Sequence, residues 1–214
     1  MPPASPSART GTKGLPRALR EELILDAATA EFGHYGHAGA SLSAIAAGAG
    51  VSKQLVLGYF GSKDALFAAC ASRAGTAIAD RVDAVLAAGG TPLTLAEGTL
   101  AAIFAALAPR PHDWNVLNDR TPPADSVAHQ AARSARLRIA AQARAGVGTL
   151  ATLDAVTDAD DLEILTDIWM GSVSALVGWW LRHPDRSAAE MTERGRRALL
   201  ALAHTPALDD QENH

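Results

Sequence analysis

The chain has 214 residues, a single cysteine and a formal net charge of −4, which excludes a disulfide-stapled scaffold and leaves room for one small and one medium domain. Hydrophobic residues make up 48% of it but aromatics only 5%, and the abundance of Ala over Ile, Val and Thr predicts an all-α fold. The N-terminal stretch has no apolar signal core and no later run approaches about 18 uninterrupted apolar residues. A soluble, cytoplasmic protein without a membrane partner is expected.

The charge is unevenly spread. Residues 1–75 carry seven basic against five acidic side chains, a balance of +2, while the rest carries twelve against eighteen, a balance of −6. All three lysines lie in the first third, the polarity expected where one end of a protein meets phosphate.

Residues 1–16, rich in Pro, Gly and Ser, read as a disordered basic N-terminal arm that includes Arg9 and Lys13. A first helix is predicted from about Pro16 to Tyr35, because Ile24, Ala27, Ala28 and Phe32 recur at helical spacing and Glu21, Glu22 and Glu31 fall on the opposite side. Gly33 and Gly36 bracket its end. His34 and His37 are three apart but have no third ligand at a metal-site interval, so no metal is expected.

The most informative stretch is Ser41 to Lys63. Ser41 is placed to cap a short helix carrying Leu42, Ile45, Ala46 and Ala49, and Ser52 to cap a second running through Lys53, Gln54, Leu55, Val56, Leu57, Gly58 and Tyr59. Between them, Ala46 lets the helices approach, Gly50 can take a positive φ, and Val51 fills the angle. This is the outline of a helix-turn-helix. Ser41, Ser52, Lys53, Tyr59 and Lys63 are hydroxyl or amine donors suited to phosphate, Gln54 can pair with an adenine, and Leu55 or Leu57 can pack on a thymine methyl unless it serves the core. Gly58 belongs to the same surface and weakens its helix by up to about 1 kcal/mol relative to alanine.

This pattern resembles the DNA-binding head of the TetR family of one-component transcriptional regulators. The matching residues are Ile24, Ala28, Phe32 and Gly36, then Ser41, Leu42, Ile45 and Ala46, then Gly50-Val51-Ser52-Lys53, Tyr59-Phe60 and Ser62-Lys63-Asp64-Ala65-Leu66. The resemblance implies a three-helix DNA-binding head over residues 17–62 and a larger helical ligand-binding and dimerisation domain over 63–205, while the polar residues 206–214 read as a disordered tail. It also implies a homodimer on a palindromic double-stranded operator, released by an apolar or amphipathic small-molecule effector and most often acting as a repressor. Leu57 departs from the family, which commonly has a phosphate-binding tyrosine there.

Beyond the head, Ser62 is expected to cap a helix bearing Leu66, Phe67, Cys70 and Ala74, and two further helices are predicted over 76–88 and 94–108, separated by Gly89-Gly90-Thr91-Pro92. Residues 109–123, with four prolines, read as a long loop that either crosses the surface or lines a cavity. A helix from about Ala124 to Ala145 carries Arg133, Arg136, Arg138 and Arg144. Asp158 to His183 reads as a long helix apolar on nearly every face, so one side must pack internally and another against something else. A last helix, with Ser187 as its cap, carries Met191, Ala198, Leu199 and Leu202 to about His204.

The resemblance makes these last two helices a dimer interface, with Leu176, Trp179, Trp180, Met191, Leu199 and Leu202 as its residues. For an effector, Phe104, Trp114, Trp169 and Met170 can line an apolar pocket, with His112 or His129 as the polar handle, although each can equally be core. No Gly-rich phosphate loop, nucleophile elbow or metal motif is present, so neither an enzyme nor a cofactor is expected. The alternative to a regulator is a helical ligand-binding or protein-interaction module that keeps the head as scaffold and reads DNA weakly.

Overall fold

The computed structural model describes residues 15–151 and 156–203. The basic arm as far as residue 14, Arg9 and Lys13 included, and the tail over 206–214 lie outside the described residues. Among the described residues every regular element is a helix: α1 Arg17–Gly39, α2 Leu42–Gly48, α3 Lys53–Phe60, α4 Lys63–Ala88, α5 Pro92–Leu107, α6 Asp113–Asn118, α7 Val127–Gly148, α8 Ala159–Leu181 and α9 Ala188–Ala203. The all-α expectation holds.

The chain divides into two compact units. The first takes residues 1–79 and 110–139, so that α6 and the first half of α7 pack with the helix-turn-helix. Its core joins Ile24, Ala28 and Phe32 of α1, Ile45 of α2, Val56 of α3 and Leu66, Phe67 and Cys70 of α4 with Val116, Ala128 and Ala132 from later in the chain. Phe32 and Phe67 meet edge to face at 5.0 Å, and each large apolar side chain buried this way contributes roughly 1.5–3 kcal/mol. Arg73 fastens α4 to α1 through Glu22 at 2.9 Å, Asp26 at 2.8 Å and the Thr29 hydroxyl at 3.1 Å.

The second unit takes residues 80–109 and 140–214. Here α5 packs on α9, and fully buried Phe104 meets Trp180 edge to face at 5.4 Å. The Trp180 indole N–H donates to the Arg186 carbonyl at 2.7 Å, which satisfies the one polar atom that its burial would otherwise strand. Ser187 and Glu190 cap α9 reciprocally: the Ser187 hydroxyl accepts from the Glu190 amide, and the Glu190 carboxylate accepts from the Ser187 amide. The bonds that the Ser187 amide and hydroxyl donate to its carboxylate hold the Glu190 carboxyl below its ordinary range.

Two expectations are corrected. The region from 63 to 88 is one helix and not two, because Gly75 in its middle is a close-approach residue: a Cβ there would lie 2.5 Å from that of Ala135. Residues 109–123 are not a plain loop, since they contain α6, whose Trp114, Val116 and Leu117 are buried. Prolines stand outside this short helix on both sides, where they do not interrupt its bonding. Helix α8 is, among the described residues, the one helix long and apolar enough by length and composition to cross a membrane. Its first half carries Asp160, Asp161, Glu163 and Asp167, and a core helix of the same length passes the same test.

Candidate nucleic-acid interface

The head is built from its caps upward. The Ser41 hydroxyl accepts from the Ser43 and Ala44 amides at 3.3 and 3.4 Å and starts α2. Gly50 turns the chain with φ +66, and the Val51 amide returns to the Ala46 carbonyl at 2.9 Å. The Ser52 hydroxyl then accepts from the Leu55 amide at 3.1 Å and starts α3. Such a cap contributes about 1 kcal/mol and fixes where the helix presents its first turn. The predicted helix-turn-helix is present, with its turn made by the residues that the sequence singled out.

Along α3, Val56 is the buried anchor, at 1% exposure. Neither Leu55 nor Leu57 is core in that sense, since both are half-buried at the edge, while Ser52, Lys53, Gln54 and Gly58 are exposed. An α3 surface with Lys53 and Gln54 in its first turn can offer a cation and a bidentate amide to a groove. A Cβ placed on Gly58 would meet nothing within 4 Å, so no contact inside the chain calls for a glycine there.

Two donors are already engaged. The Lys63 ammonium donates to the Ala38 carbonyl at 3.3 Å, and the half-buried Tyr59 lies under the Arg17 guanidinium, 5.0 Å from its ring centre. Arg17 is a residue the sequence reading left out, although a basic side chain at the first position of α1 was a usable sign.

The C-terminal end of α1 is clamped by α6 and the loop after it. Gly36 breaks the helix with φ +67. Around that break, the Asn115 amide donates to the Gly33 carbonyl at 2.9 Å, the Asp119 carboxylate accepts from the His37 amide, and the Thr121 hydroxyl accepts from the Ala38 amide at 3.2 Å. The His37 ring is buried between Phe32 and Phe67 and meets the Asp64 carboxylate at 2.7 Å, at the start of α4. His34 lies against His112, with ring centres 4.1 Å apart. His34 and His37 therefore serve packing, and no group of three or more metal-ligating side chains occurs among the described residues. The contacts of Asn115, Asp119 and Thr121 span more than eighty residues, which is why no local sequence pattern announced them.

The six residues proposed for an effector fall three in each unit. His112, Trp114 and His129 belong to the head unit: Trp114 is buried in α6, and the His129 amide is held by the Ser126 hydroxyl at 3.1 Å. Phe104, Trp169 and Met170 belong to the second unit, Phe104 fully buried and the other two half-buried on α8. Of the residues named for dimer contact, Trp180 and Met191 are 5% and 1% exposed and are taken up by the protomer's own core. Leu176, Trp179 and Leu199 are half-buried, and the side chain of Leu202 lies outside the described residues. The uncovered apolar side of α8 is marked instead by Ile164 and Ile168, 56% and 57% exposed, one helical turn apart.

An all-helical chain with a capped helix-turn-helix and a long helical continuation has the architecture of helix-turn-helix transcriptional regulators. Residues 24–70 match the family model for bacterial regulatory proteins of the tetR family, about a fifth of the chain, so the head is similar to that family's. A TetR-like transcriptional regulator from Rhodococcus sp. RHA1 is 25% identical, with a TM-score of 0.68 over 89% of this chain and 99% of that one. A TetR-family regulator from Bordetella parapertussis 12822 is 20% identical, with a TM-score of 0.71 over 86% of this chain and 95% of that one. The regulator FadR from Bacillus subtilis, solved in complex with stearoyl-CoA, is 15% identical, with a TM-score of 0.65 over 83% of this chain and 96% of that one. No curated protein sequence matches the chain.

Proposed function

We propose that this chain is a cytoplasmic, homodimeric repressor that binds an approximately palindromic operator and leaves it when a small amphipathic molecule binds. The observation that carries this reading is the clamp between α6 and the broken end of α1. A regulator needs an element whose position both sites can bias, and Asn115, Asp119 and Thr121 tie α6 and its following loop to the backbone on either side of Gly36. In a two-fold dimer the two α3 helices would enter successive major grooves, so the spacing of the heads decides affinity. An effector releases DNA only to the extent that it prefers the spacing unable to bind.

The FadR likeness shows fold alone, but its stearoyl-CoA belongs to the amphipathic class proposed for this effector. The exposed Ile164 and Ile168 face of α8 is where a second copy would be covered. Fluorescence anisotropy with the chain's own upstream intergenic DNA tests the reading, with long-chain acyl-CoA titrated into the complex. Salt-sensitive, sequence-selective binding supports it. Binding without sequence preference favours the alternative, in which the head serves as scaffold for a ligand-binding or interaction module.

A further inference from the structure

The head itself is poor in positive charge. From Arg17 to Asp64 it has four basic residues, Arg17, Arg20, Lys53 and Lys63, against five acidic ones, a balance of −1. Arg73, the next cation, is committed to Glu22 and Asp26. Binding to duplex DNA draws much of its free energy from counterions released by phosphate contacts, and a surface balanced at −1 offers few.

The same compact unit contains a second source. Residues 110–139 carry five arginines against three aspartates. Of these, Arg133 and Arg136 stand three apart on α7 and so share a face. Arg136 is held in place by donating to the Leu117 carbonyl at 2.6 Å, and Arg120 sits in the loop between α6 and α7. Burial first, then the charges of Arg120 and Arg133, hold the pKa of Arg136 below its ordinary value. Asp119, the carboxylate that opposes them, already accepts from the His37 and Thr121 amides. Arg120 and Arg133 are exposed and make no hydrogen bond or ion pair among the described residues. Asp119 offsets part of this repulsion, and an outside polyanion would relieve the rest.

The cluster is also tied to the reading edge of the head. Lys63 donates to the carbonyl of Ala38, whose amide donates to Thr121, the neighbour of Arg120. We propose that Arg120, Arg133 and Arg136 form a second phosphate-binding surface that engages the backbone of the same duplex read by α3. Its exposure suits a long polyanion better than a small phosphorylated ligand, whose sites are concave and bury most of the ligand.

This inference rests on the reading that the head engages duplex DNA, and the experiment separates the two. The full chain and an Arg120→Gln/Arg133→Gln variant are titrated, over a range of salt, onto an operator duplex and onto a random-sequence duplex. Phosphate contacts are sequence-independent, so the variant should bind both at least tenfold more weakly near 0.1 M salt, with a log–log salt slope shallower by about 2 for each protomer on the duplex. The Arg120→Lys/Arg133→Lys variant should keep the slope. Both side chains are unpartnered, so the melting temperature should not move. An unchanged slope, or a lysine variant as impaired as the glutamine one, overturns the proposal. So does a glutamine variant that binds DNA normally but loses stabilisation by coenzyme A or pyrophosphate, which would assign the cluster to a small ligand. If the chain shows no operator preference yet the slope difference persists on random duplex, the operator reading fails and this surface stands.

Discussion

The Asp119 carboxylate accepts the backbone N–H of His37, 82 residues earlier, at the position immediately after the positive-φ break at Gly36. Its other oxygen accepts from the Thr121 amide at 2.8 Å, so one side chain holds the end of α1 and shapes the loop after α6. Asp119→Ala strands a part-buried amide and should lower unfolding free energy by about 1–3 kcal/mol. Asp119→Asn keeps an acceptor oxygen and should lose less. Urea denaturation checks both, and equal losses would mean that the side chain acts through charge and not through the amide bond.

Gly58→Ala should separate stability from binding. The added methyl has open space and the residue does not have a left-handed φ, so the helix gains up to about 1 kcal/mol and the melting temperature rises. The same methyl stands on the exposed side of α3 and should weaken DNA binding. A fall in melting temperature, or binding that strengthens along with stability, would contradict this account of the glycine.

His112 gives stability a pH dependence. Desolvation first, and then the neighbouring His34, lower its pKa from 6.5, and its Nδ1 is buried without a partner. Below 6.5 the unfolded chain therefore takes up a proton that the folded chain resists, so this contribution is intact above 6.5 and is lost as pH falls towards the folded value. Asp113 acts in the opposite direction: burial raises its pKa above 3.8, so its share of stability declines as pH rises through the folded value. Chemical denaturation of the wild type and a His112→Gln variant, at several pH values around 6.5, should show the variant with the flatter profile on the acid side. Parallel profiles would remove His112 as the cause.

What the sequence disclosed and what it hid follow from range. The caps at Ser41, Ser52 and Ser62, the turn at Gly50 and the buried stripe of Ile24, Ala28 and Phe32 depend on neighbours a few residues away, and each appears where it was expected. The helix α6 did not, because its residues are held by distant partners: Asn115 finds Gly33, and Asp119 finds His37. The unbroken course of α4 through Gly75 was hidden for a similar reason, since what that glycine accommodates is Ala135 on another helix. The resemblance marked Trp180 and Met191 for a dimer partner, and both are covered by their own protomer, because an apolar helix pattern does not tell which side its own chain will cover.

That distinction leads to opposite outcomes on α8. Ile164 and Ile168 are more than half exposed in one chain, and Trp180 is 5% exposed, with its N–H bonded to the Arg186 carbonyl. If two copies meet on the uncovered face, Ile164→Glu or Ile168→Glu places a charge in the interface while costing the protomer almost nothing, because the side chain stays in water when the copies are apart. Sedimentation velocity should then show a monomer with a wild-type helical circular dichroism spectrum. Operator affinity should fall with it, since a single head loses the second half-site. Trp180→Ala instead removes core packing and strands the Arg186 carbonyl, so about 3–5 kcal/mol of stability should be lost before any question of assembly arises. A glutamate variant that remains dimeric would move the interface away from this face of α8, whatever the tryptophan variant does.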